Sequence, residues 1–369
     1  MLARTTRVVA VVLALAALSA LLITSASAHS GRSARGAVYA LTNSPAGNAV
    51  VTYSRASDGS LTPAGSYETG GTGTGAGLGS QGAVIVSDDE RLLFAVNAGS
   101  NSISSFRIRH DGLEFVDSAP SGGSMPTSVA YRRGLLYALN AGAPNNISGF
   151  RVDRHGNLNP ILGSARPLSA ASTSPAQVGF GADGDTIVVT ERATNVVDTY
   201  TVSRSGRLTG PFVHASAGPT PFGFAVTKPN TLLVSEAGTG GGASTYRIGD
   251  AGALTPVSSM IVTGQRAACW AVTTNDGRFG YVTNAGTGNI SGFAIERDGS
   301  ASLLDADGVT GITGGNPTDA ALSEDSRFLY ARVAATSEIA VFRIGSDGSL
   351  AKLPSLTSTP DGRAGLAGF

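Results

Sequence analysis

Residues 281–299 read YVTNAGTGNISGFAIERDG, and this segment recurs along the chain in seven copies, four of them close and three degenerate. The copies begin at or near Val38, Phe94, Tyr137, Ile187, Leu232, Tyr281 and Tyr330. An internal repeat of this kind is the first feature to interpret, because it determines the architecture of the whole chain.

Every copy contains an aromatic residue that is followed six positions later by a glycine. The aromatic residues are Tyr53, Phe106, Phe150, Tyr200, Tyr246, Phe293 and Phe342, and the glycines are Gly59, Gly112, Gly156, Gly206, Gly252, Gly299 and Gly348. Consecutive aromatic residues are separated by 44 to 53 positions. That period fits a four-stranded propeller blade and is too long for a leucine-rich or ankyrin repeat.

Within one copy, apolar and polar residues alternate, as in Ile147–Val152, which is typical of a half-buried strand. Asp-Gly pairs follow the aromatic residue in four copies, at Asp58, Asp111, Asp298 and Asp347. We interpret these pairs as hairpin turns, in which the glycine adopts a positive φ. Calcium binding would require an alternating acidic loop, which the sequence does not contain.

The third copy predicts the strands of a blade: an innermost strand at Pro126–Tyr131, a second at Leu135–Asn140 and a third at Ile147–Val152. The chain ends in Gly365–Phe369, which is typical of a lone innermost strand. We therefore predict an all-β, seven-bladed propeller of four-stranded blades over residues 37–369. In this fold the C-terminal strand completes the first blade, which removes a free sheet edge.

The first 28 residues have the pattern of a secretory signal peptide. Arg4 and Arg7 precede an apolar run of 16 residues, and a small-residue stretch ends at Ala28. We predict cleavage after Ala28 and a secreted chain with no membrane span after cleavage. A retained N-terminal anchor is the alternative, although the apolar run is short for a span.

The composition restricts the possible partners. The formal net charge is zero and only 14% of residues are charged, which argues against nucleic-acid binding. Cys269 is the only cysteine and lies in an apolar run, so it is either a buried inert thiol or, less simply, a nucleophile without a nearby histidine. The glycine-rich segment 70–79 is a loop without the strand–helix context of a phosphate site. We expect no cofactor, no bound metal, a small-molecule ligand and a monomer.

The predicted second strands end on the same face of the ring as the innermost strands begin. Their terminal residues are Asn43, Asn97, Asn140, Glu191, Glu236 and Asn284. Asparagine at this position fits a turn-capping role. Glu191 and Glu236 occupy equivalent positions in adjacent blades, so they are candidates for general acid/base catalysis, and the alternative is two solvated carboxylates.

The starts of three innermost strands add candidate ligand contacts at the same channel mouth. Gln177 could donate a hydrogen bond, Phe222 and Trp270 could form an aromatic wall, and Arg266 could bind a carboxylate or phosphate. Packing is the alternative role for the two aromatic residues, and simple exposure is the alternative for Arg266. Asn140 and Asn284 lie on the same face.

The segment from Tyr281 to Asn284, the Asp-Gly turns and the C-terminal Gly-Leu-Ala strand resemble the lactonase-type seven-bladed propellers, which include bacterial 6-phosphogluconolactonase and fungal carboxymuconate cyclase. The resemblance covers the whole predicted domain and implies the fold. It also implies an acidic residue near the end of the second strand of blade five, approximately matched by Glu236. The histidine-containing stretch of the family falls at Ser174–Ala176, which has no histidine.

Two hypotheses about function follow. The first is a secreted lactonase or cycloisomerase that acts on a small lactone or carboxylated substrate, with Glu191 and Glu236 as acid/base groups and Arg266 as the anion-binding residue. The second is a non-catalytic extracellular propeller that binds a ligand or partner through the same mouth. Proximity of Glu191, Glu236 and Arg266 within one concave pocket would favour the first hypothesis, and a flat mouth with these side chains splayed into solvent would favour the second.

Overall fold

A computed structural model describes residues 36–227, 229–357, 359 and 364–369. The predicted signal peptide lies outside the described residues. Within them, no helix is long and apolar enough to cross a membrane. Apart from one short 3-10 turn at Asp250–Gly252, the regular elements of the described ranges are strands.

The strands form seven antiparallel sheets arranged as blades, which confirms the predicted fold. The innermost strands are β4 (Val84–Val86), β8 (Pro126–Arg132), β13 (Pro175–Phe180), β17 (Pro221–Thr227), β21 (Ala268–Thr273), β26 (Pro317–Leu322) and β30 (Ala364–Gly368). The second strands are β1 (Gly36–Leu41), β5 (Leu92–Asn97), β9 (Leu135–Asn140), β14 (Thr186–Glu191), β18 (Thr231–Glu236), β22 (Phe279–Asn284) and β27 (Phe328–Val333).

The third strands carry the recurrent aromatic residues. They are β2 (Ala49–Arg55), β6 (Ser102–Arg109), β10 (Asn146–Val152), β15 (Val196–Val202), β19 (Gly242–Ile248), β23 (Asn289–Ile295) and β28 (Glu338–Ile344). The outer strands are β3 (Leu61–Glu68), β7 (Gly112–Pro120), β16 (Leu208–Ala215), β20 (Leu254–Val262) and β29 (Leu350–Leu356). In blades three and six the outer edge consists of two short strands, β11 (Leu158–Pro160) with β12 (Arg166–Pro167) and β24 (Ala301–Leu303) with β25 (Gly311–Ile312).

The C-terminal strand closes the ring as predicted. Strand β30 pairs with β1, with Ala40 opposite Leu366 and Val38 opposite Gly368. Blade seven also holds this strand, because the buried Asp319 Oδ2 accepts a hydrogen bond from the Leu366 amide at 3.0 Å. The first blade is therefore assembled from both ends of the domain.

The aromatic–glycine repeat is explained by contacts between neighbouring blades. All seven aromatic residues of the third strands are at most 2% exposed. In four blades the turn glycine lies against an aromatic side chain of the preceding blade, as at Gly59, Gly112, Gly252 and Gly348. A Cβ on Gly59, whose φ is 93°, would lie 2.3 Å from the Phe328 ring. The hydroxyls of Tyr137, Tyr281 and Tyr330 donate to the turn carbonyls of Gly206, Gly348 and Gly59 in the next blade.

Candidate functional site

One face of the disc, here called the upper face, carries the starts of the innermost strands and the ends of the second strands. The pairing places them side by side, with Pro221 opposite Glu236 and Ala268 opposite Asn284. The innermost strands line a central channel, in which a cavity of about 380 Å³ reaches from Gln81 and Gln177 toward the lower face. The upper face contains all the residues that the sequence nominates as a site.

The asparagines at the ends of the second strands are buried structural residues. Asn97, Asn140 and Asn284 have no exposed surface. Each donates through Nδ2 to a serine of the third strand in its own blade: Ser104 at 2.8 Å, Ser148 at 3.4 Å and Ser291 at 2.8 Å. These amides therefore join two strands below the surface, and a ligand role for Asn140 and Asn284 stays a prediction.

Glu191 has no exposed surface and lies beside a second buried acid, Asp198. Its Oε1 accepts the Ser169 amide at 2.9 Å, and Asp198 Oδ2 accepts the same amide at 3.0 Å. Oε2 accepts hydrogen bonds from the Ser169 and Thr194 hydroxyls. Burial, and then the neighbouring Glu191, raises the pKa of Asp198 well above the usual carboxyl range. The pair thus favours retaining a proton at neutral pH.

Glu236 occupies the equivalent position in blade five without a second acid. It has no exposed surface, and its Oε1 accepts the Ser216 hydroxyl at 3.0 Å. Within the described residues, Oε2 has no hydrogen-bond partner. Burial raises the pKa of Glu236 to about 7, where it can both give and accept a proton near neutral pH.

A short loop covers the Glu236 carboxyl. Gly218 lies so close that an added Cβ would be 2.8 Å from Glu236 Cγ. The same loop is tied to blade four, because the Thr220 amide donates to Asn195 Oδ1 at 2.7 Å. Within the described ranges no hydrogen bond joins the two glutamates, so their convergence on one substrate stays a prediction.

Arg192 is the group that sequence reasoning missed. Its guanidinium lies 5.2 Å from the centre of the Phe222 ring, and Nε donates to the Ser174 carbonyl at 2.9 Å. Burial lowers its pKa from the usual arginine range. Nη1 and Nη2 have no hydrogen-bond partner in the part of the chain that the structure describes. An arginine held in this way leaves its two terminal nitrogens available for a carboxylate or phosphate.

The sequence does contain a sign of Arg192. In four other blades the residue after the second-strand Asn or Glu is alanine, at Ala98, Ala141, Ala237 and Ala285, and in blade one it is Ser44. Similarly, Asp198 stands two residues before the recurrent aromatic, where Ser104, Ser148, Ser244 and Ser291 stand in other blades. Aligning the repeats for exceptions would have identified both residues.

Phe222 and Trp270 form an aromatic wall next to Arg192. Their ring centres are 5.1 Å apart at 61°, and they are 5% and 6% exposed. Cys269 is buried beside them, and burial raises the pKa of its thiol to about 12, as expected of an inert thiol. Gln177 is engaged elsewhere, because its amide group bonds both backbone polar groups of Phe224.

The end of the glycine-rich loop crosses the channel from blade two. Trp270 Nε1 donates to the Ser80 carbonyl at 2.9 Å, while the Gln81 side chain bonds both backbone polar groups of Ala271. The backbone N–H of Gln81 also donates to the Ala176 carbonyl of blade four. Gly223 makes room for this crossing, since a Cβ there would lie 2.1 Å from Gln81 Oε1.

Arg266 lies apart from the aromatic wall in its interactions. It is exposed, and its guanidinium donates to the Gly286 carbonyl of its own blade at 3.1 Å. In the described part of the chain, no group of three or more His, Cys, Asp and Glu side chains is placed to hold a metal ion. The absence of a metal and of a cofactor stays a prediction.

The sequence model of the family described as "Lactonase, 7-bladed beta-propeller" matches residues 46–166 and 234–364, more than half of the chain. The chain belongs to the lactonase seven-bladed β-propeller family. The two matched segments leave residues 167–233 between them, and this interval contains Glu191, Arg192, Asp198 and Phe222. Several departures of the upper face from the chain's own repeat therefore lie in this unmatched interval, whereas Glu236 lies just inside the second matched segment.

Solved structures share the fold at low sequence identity. A periplasmic gluconolactonase from Pseudomonas aeruginosa is 17% identical with a TM-score of 0.74, covering 90% of this chain and 98% of its own. A candidate 6-phosphogluconolactonase from Bacteroides uniformis is 16% identical with a TM-score of 0.73, covering 91% and 99% respectively. No curated protein matches the chain significantly in sequence.

Proposed function

We propose that this propeller is a lactonase that binds a small lactone bearing a carboxylate or phosphate at the upper face, between blades four and five. Arg192 binds the anionic group, Phe222 and Trp270 pack against the sugar-like ring, and Glu236 transfers protons. The observation that carries the proposal is the half-buried Arg192, whose Nη1 and Nη2 are unoccupied by described residues beside an aromatic wall. Gluconolactones are the substrate class that the names of the structural relatives suggest.

The chemistry requires one group that accepts and then returns a proton. Glu236 as a carboxylate removes a proton from water while the water oxygen attacks the lactone carbonyl, and it then protonates the ring oxygen as the C–O bond breaks. Its pKa of about 7 suits both steps. Glu236 reaches substrate only if the loop that contains Gly218 moves, and that loop is linked to the Arg192–Asn195 turn through Thr220. An anion bound at Arg192 would thus lie next to the loop that covers Glu236.

Glu191 fits a supporting role better than a second catalytic role. Both of its oxygens accept hydrogen bonds, and its partner Asp198 shares one of the donors. Ser169, which they bind, begins the segment that leads to Ser174, the anchor of Arg192 Nε. We propose that Glu191 positions this segment.

The alternative function is a non-catalytic propeller that binds an anionic ligand through Arg192. The observation that favours it is that neither Glu191 nor Glu236 has exposed surface, so neither carboxyl is accessible to a substrate in this conformation. Export to the cell exterior or periplasm belongs to both proposals and rests on the N-terminal sequence pattern.

The test is hydrolysis of gluconolactone and 6-phosphogluconolactone by wild type, Arg192→Gln, Glu236→Gln and the matched control Arg266→Gln. We expect Arg192→Gln to raise KM for the phosphorylated lactone by about 10- to 100-fold, the size of a lost charge-assisted pair. Glu236→Gln should lower kcat by about 10²-fold or more. Arg266→Gln should match wild type, whereas a KM effect there alone would assign the anion to Arg266.

Anion binding without turnover would favour the non-catalytic alternative. Calorimetry with gluconate and 6-phosphogluconate, the hydrolysis products, measures this directly. If Arg192→Gln and wild type bind both acids equally and neither hydrolyses a lactone, the proposal is wrong.

A further inference from the structure

A second cavity of about 580 Å³ lies on the lower face, at the seam between blades one and two. We call it the seam pocket. Its polar and aromatic lining includes Tyr39, Thr52, Glu90, His110 and Phe369. Its volume is within the range of small-molecule sites, and none of these residues takes part in the upper-face site.

The pocket exists where a repeated contact between blades is missing. The residue before Tyr39 pairs with the recurrent aromatic Tyr53, just as the residue before Tyr137 pairs with Phe150. Tyr39 is therefore the blade-one equivalent of Tyr137, whose hydroxyl donates at 2.8 Å to the Gly206 carbonyl in the turn of the next blade. Tyr281 and Tyr330 make the same contact in blades six and seven.

Tyr39 makes no such contact. In the described residues its hydroxyl has no hydrogen-bond partner, although the side chain is only 3% exposed. Tyr67 instead reaches the turn of blade two, donating to the Asp111 carbonyl at 3.4 Å. The Tyr39 hydroxyl keeps contact with the cavity, so a ligand that enters the cavity can form a hydrogen bond with it in place of water.

The other lining groups suit a ligand with several hydroxyls. The Tyr39 and Phe369 rings are stacked with centres 5.9 Å apart, which gives the pocket an apolar aromatic side. The Thr52 hydroxyl, the His110 imidazole and the Glu90 carboxyl supply donors and acceptors. Burial and the neighbouring Glu324 raise the pKa of Glu90 from its usual value.

The guanidinium of Arg109 in the pocket lining already has an acidic partner. Arg109 forms a 2.5 Å ion pair with Glu114, so it offers little attraction to an anion. We infer that the seam pocket is a second ligand site that takes a neutral, monosaccharide-sized polyol, with the Tyr39 hydroxyl and Glu90 as its hydrogen-bonding groups. This inference does not depend on the proposed lactonase activity.

The test is calorimetric titration of the full chain with D-glucose, D-gluconate and putrescine as neutral, anionic and cationic probes. We expect saturable binding of glucose, weakened about fivefold by Tyr39→Phe, the size of one hydrogen bond. The melting temperature without ligand should be unchanged, because the hydroxyl that is removed has no protein partner. The matched control Tyr137→Phe removes a bonded hydroxyl, so it should lower stability and leave glucose affinity unchanged.

Arg192→Gln should leave glucose binding intact, which separates this site from the upper face. Absence of saturable glucose binding to wild type would overturn the inference. It would also be overturned if Tyr39→Phe and Glu90→Gln both bound glucose with the affinity of wild type. Binding of putrescine in place of glucose, lost in Glu90→Gln, would also overturn it by assigning the pocket to a cation.

Discussion

Glu191 and Asp198 share one backbone donor: the Ser169 amide lies 2.9 Å from Glu191 Oε1 and 3.0 Å from Asp198 Oδ2. Neither carboxyl group has exposed surface, so ionising both is costly, and burial and then the neighbouring Glu191 raise the pKa of Asp198. Because the folded pKa lies above the unfolded one, this group stabilises the fold at acidic pH. That contribution is lost as the pH rises from about 4 through the raised pKa.

Asp198→Asn should therefore flatten the dependence of stability on pH. Wild type should lose melting temperature between about pH 5 and about pH 8, and the variant should lose less. Thermal melts across this range measure the difference, with the exposed Asp111→Asn as control. Parallel curves for wild type and Asp198→Asn would show that the pair is not protonated in the fold.

The blades could be predicted from sequence because many of the repeated residues make equivalent contacts between neighbouring blades. Gly59 recurs since a ring of the preceding blade occupies the place of its side chain, and Tyr330 reaches the Gly59 carbonyl at 3.2 Å. An aromatic side chain of the preceding blade also lies against Gly112, Gly252 and Gly348, so these contacts leave a period in the sequence. The closing strand was predictable because residues 365–369 have the pattern of an innermost strand but belong to no further copy of the repeat.

The environment of the candidate site was less predictable, because loops that do not repeat decide it. The period places Glu236 at the end of a strand but does not reveal that Gly218 covers its carboxyl. It also does not reveal that Gln81 crosses the channel to Ala271, about half the chain away. Arg192 and Asp198 were visible only as exceptions to the repeat.

Gly59→Ala should destabilise the fold by more than its backbone strain alone. Gly59 has a φ of 93° and a ring atom 2.3 Å from the position of a Cβ, whereas Gly264 has a φ of 73° and open space around it. We expect a loss of unfolding free energy of about 1 kcal/mol for Gly264→Ala and about 2–3 kcal/mol for Gly59→Ala. Urea denaturation measures both, and equal losses would show that the Phe328 contact yields without cost.

The N-terminal sequence predicts that the exported chain begins at His29. Intact-mass spectrometry of protein recovered from the medium or periplasm should give the mass of residues 29–369. Replacing Ala26 and Ala28 with bulky residues should block cleavage, because the peptidase requires small side chains there. Recovery of the chain from Met1 in membranes would indicate a retained anchor.

Deleting residues 365–369 should strongly destabilise the propeller. The deletion removes most of β30, including the buried Leu366 and its amide bond to Asp319 Oδ2, and it exposes the edge of β1. From the apolar burial and hydrogen bonds lost, we expect a decrease in unfolding free energy of about 3 kcal/mol or more.

Because the truncated chain could fail to fold, Leu366→Ala provides a milder measurement. Loss of this buried side chain should cost about 2–4 kcal/mol, while shortening the exposed side chain in the control Leu162→Ala should cost less than about 0.5 kcal/mol. The truncation and Leu366→Ala affect the same boundary between the first and last blades, since Leu366 packs with Val38 of blade one and Tyr330 of blade seven. A truncated chain with the wild-type melting temperature would mean that β30 does not hold the first and last blades together.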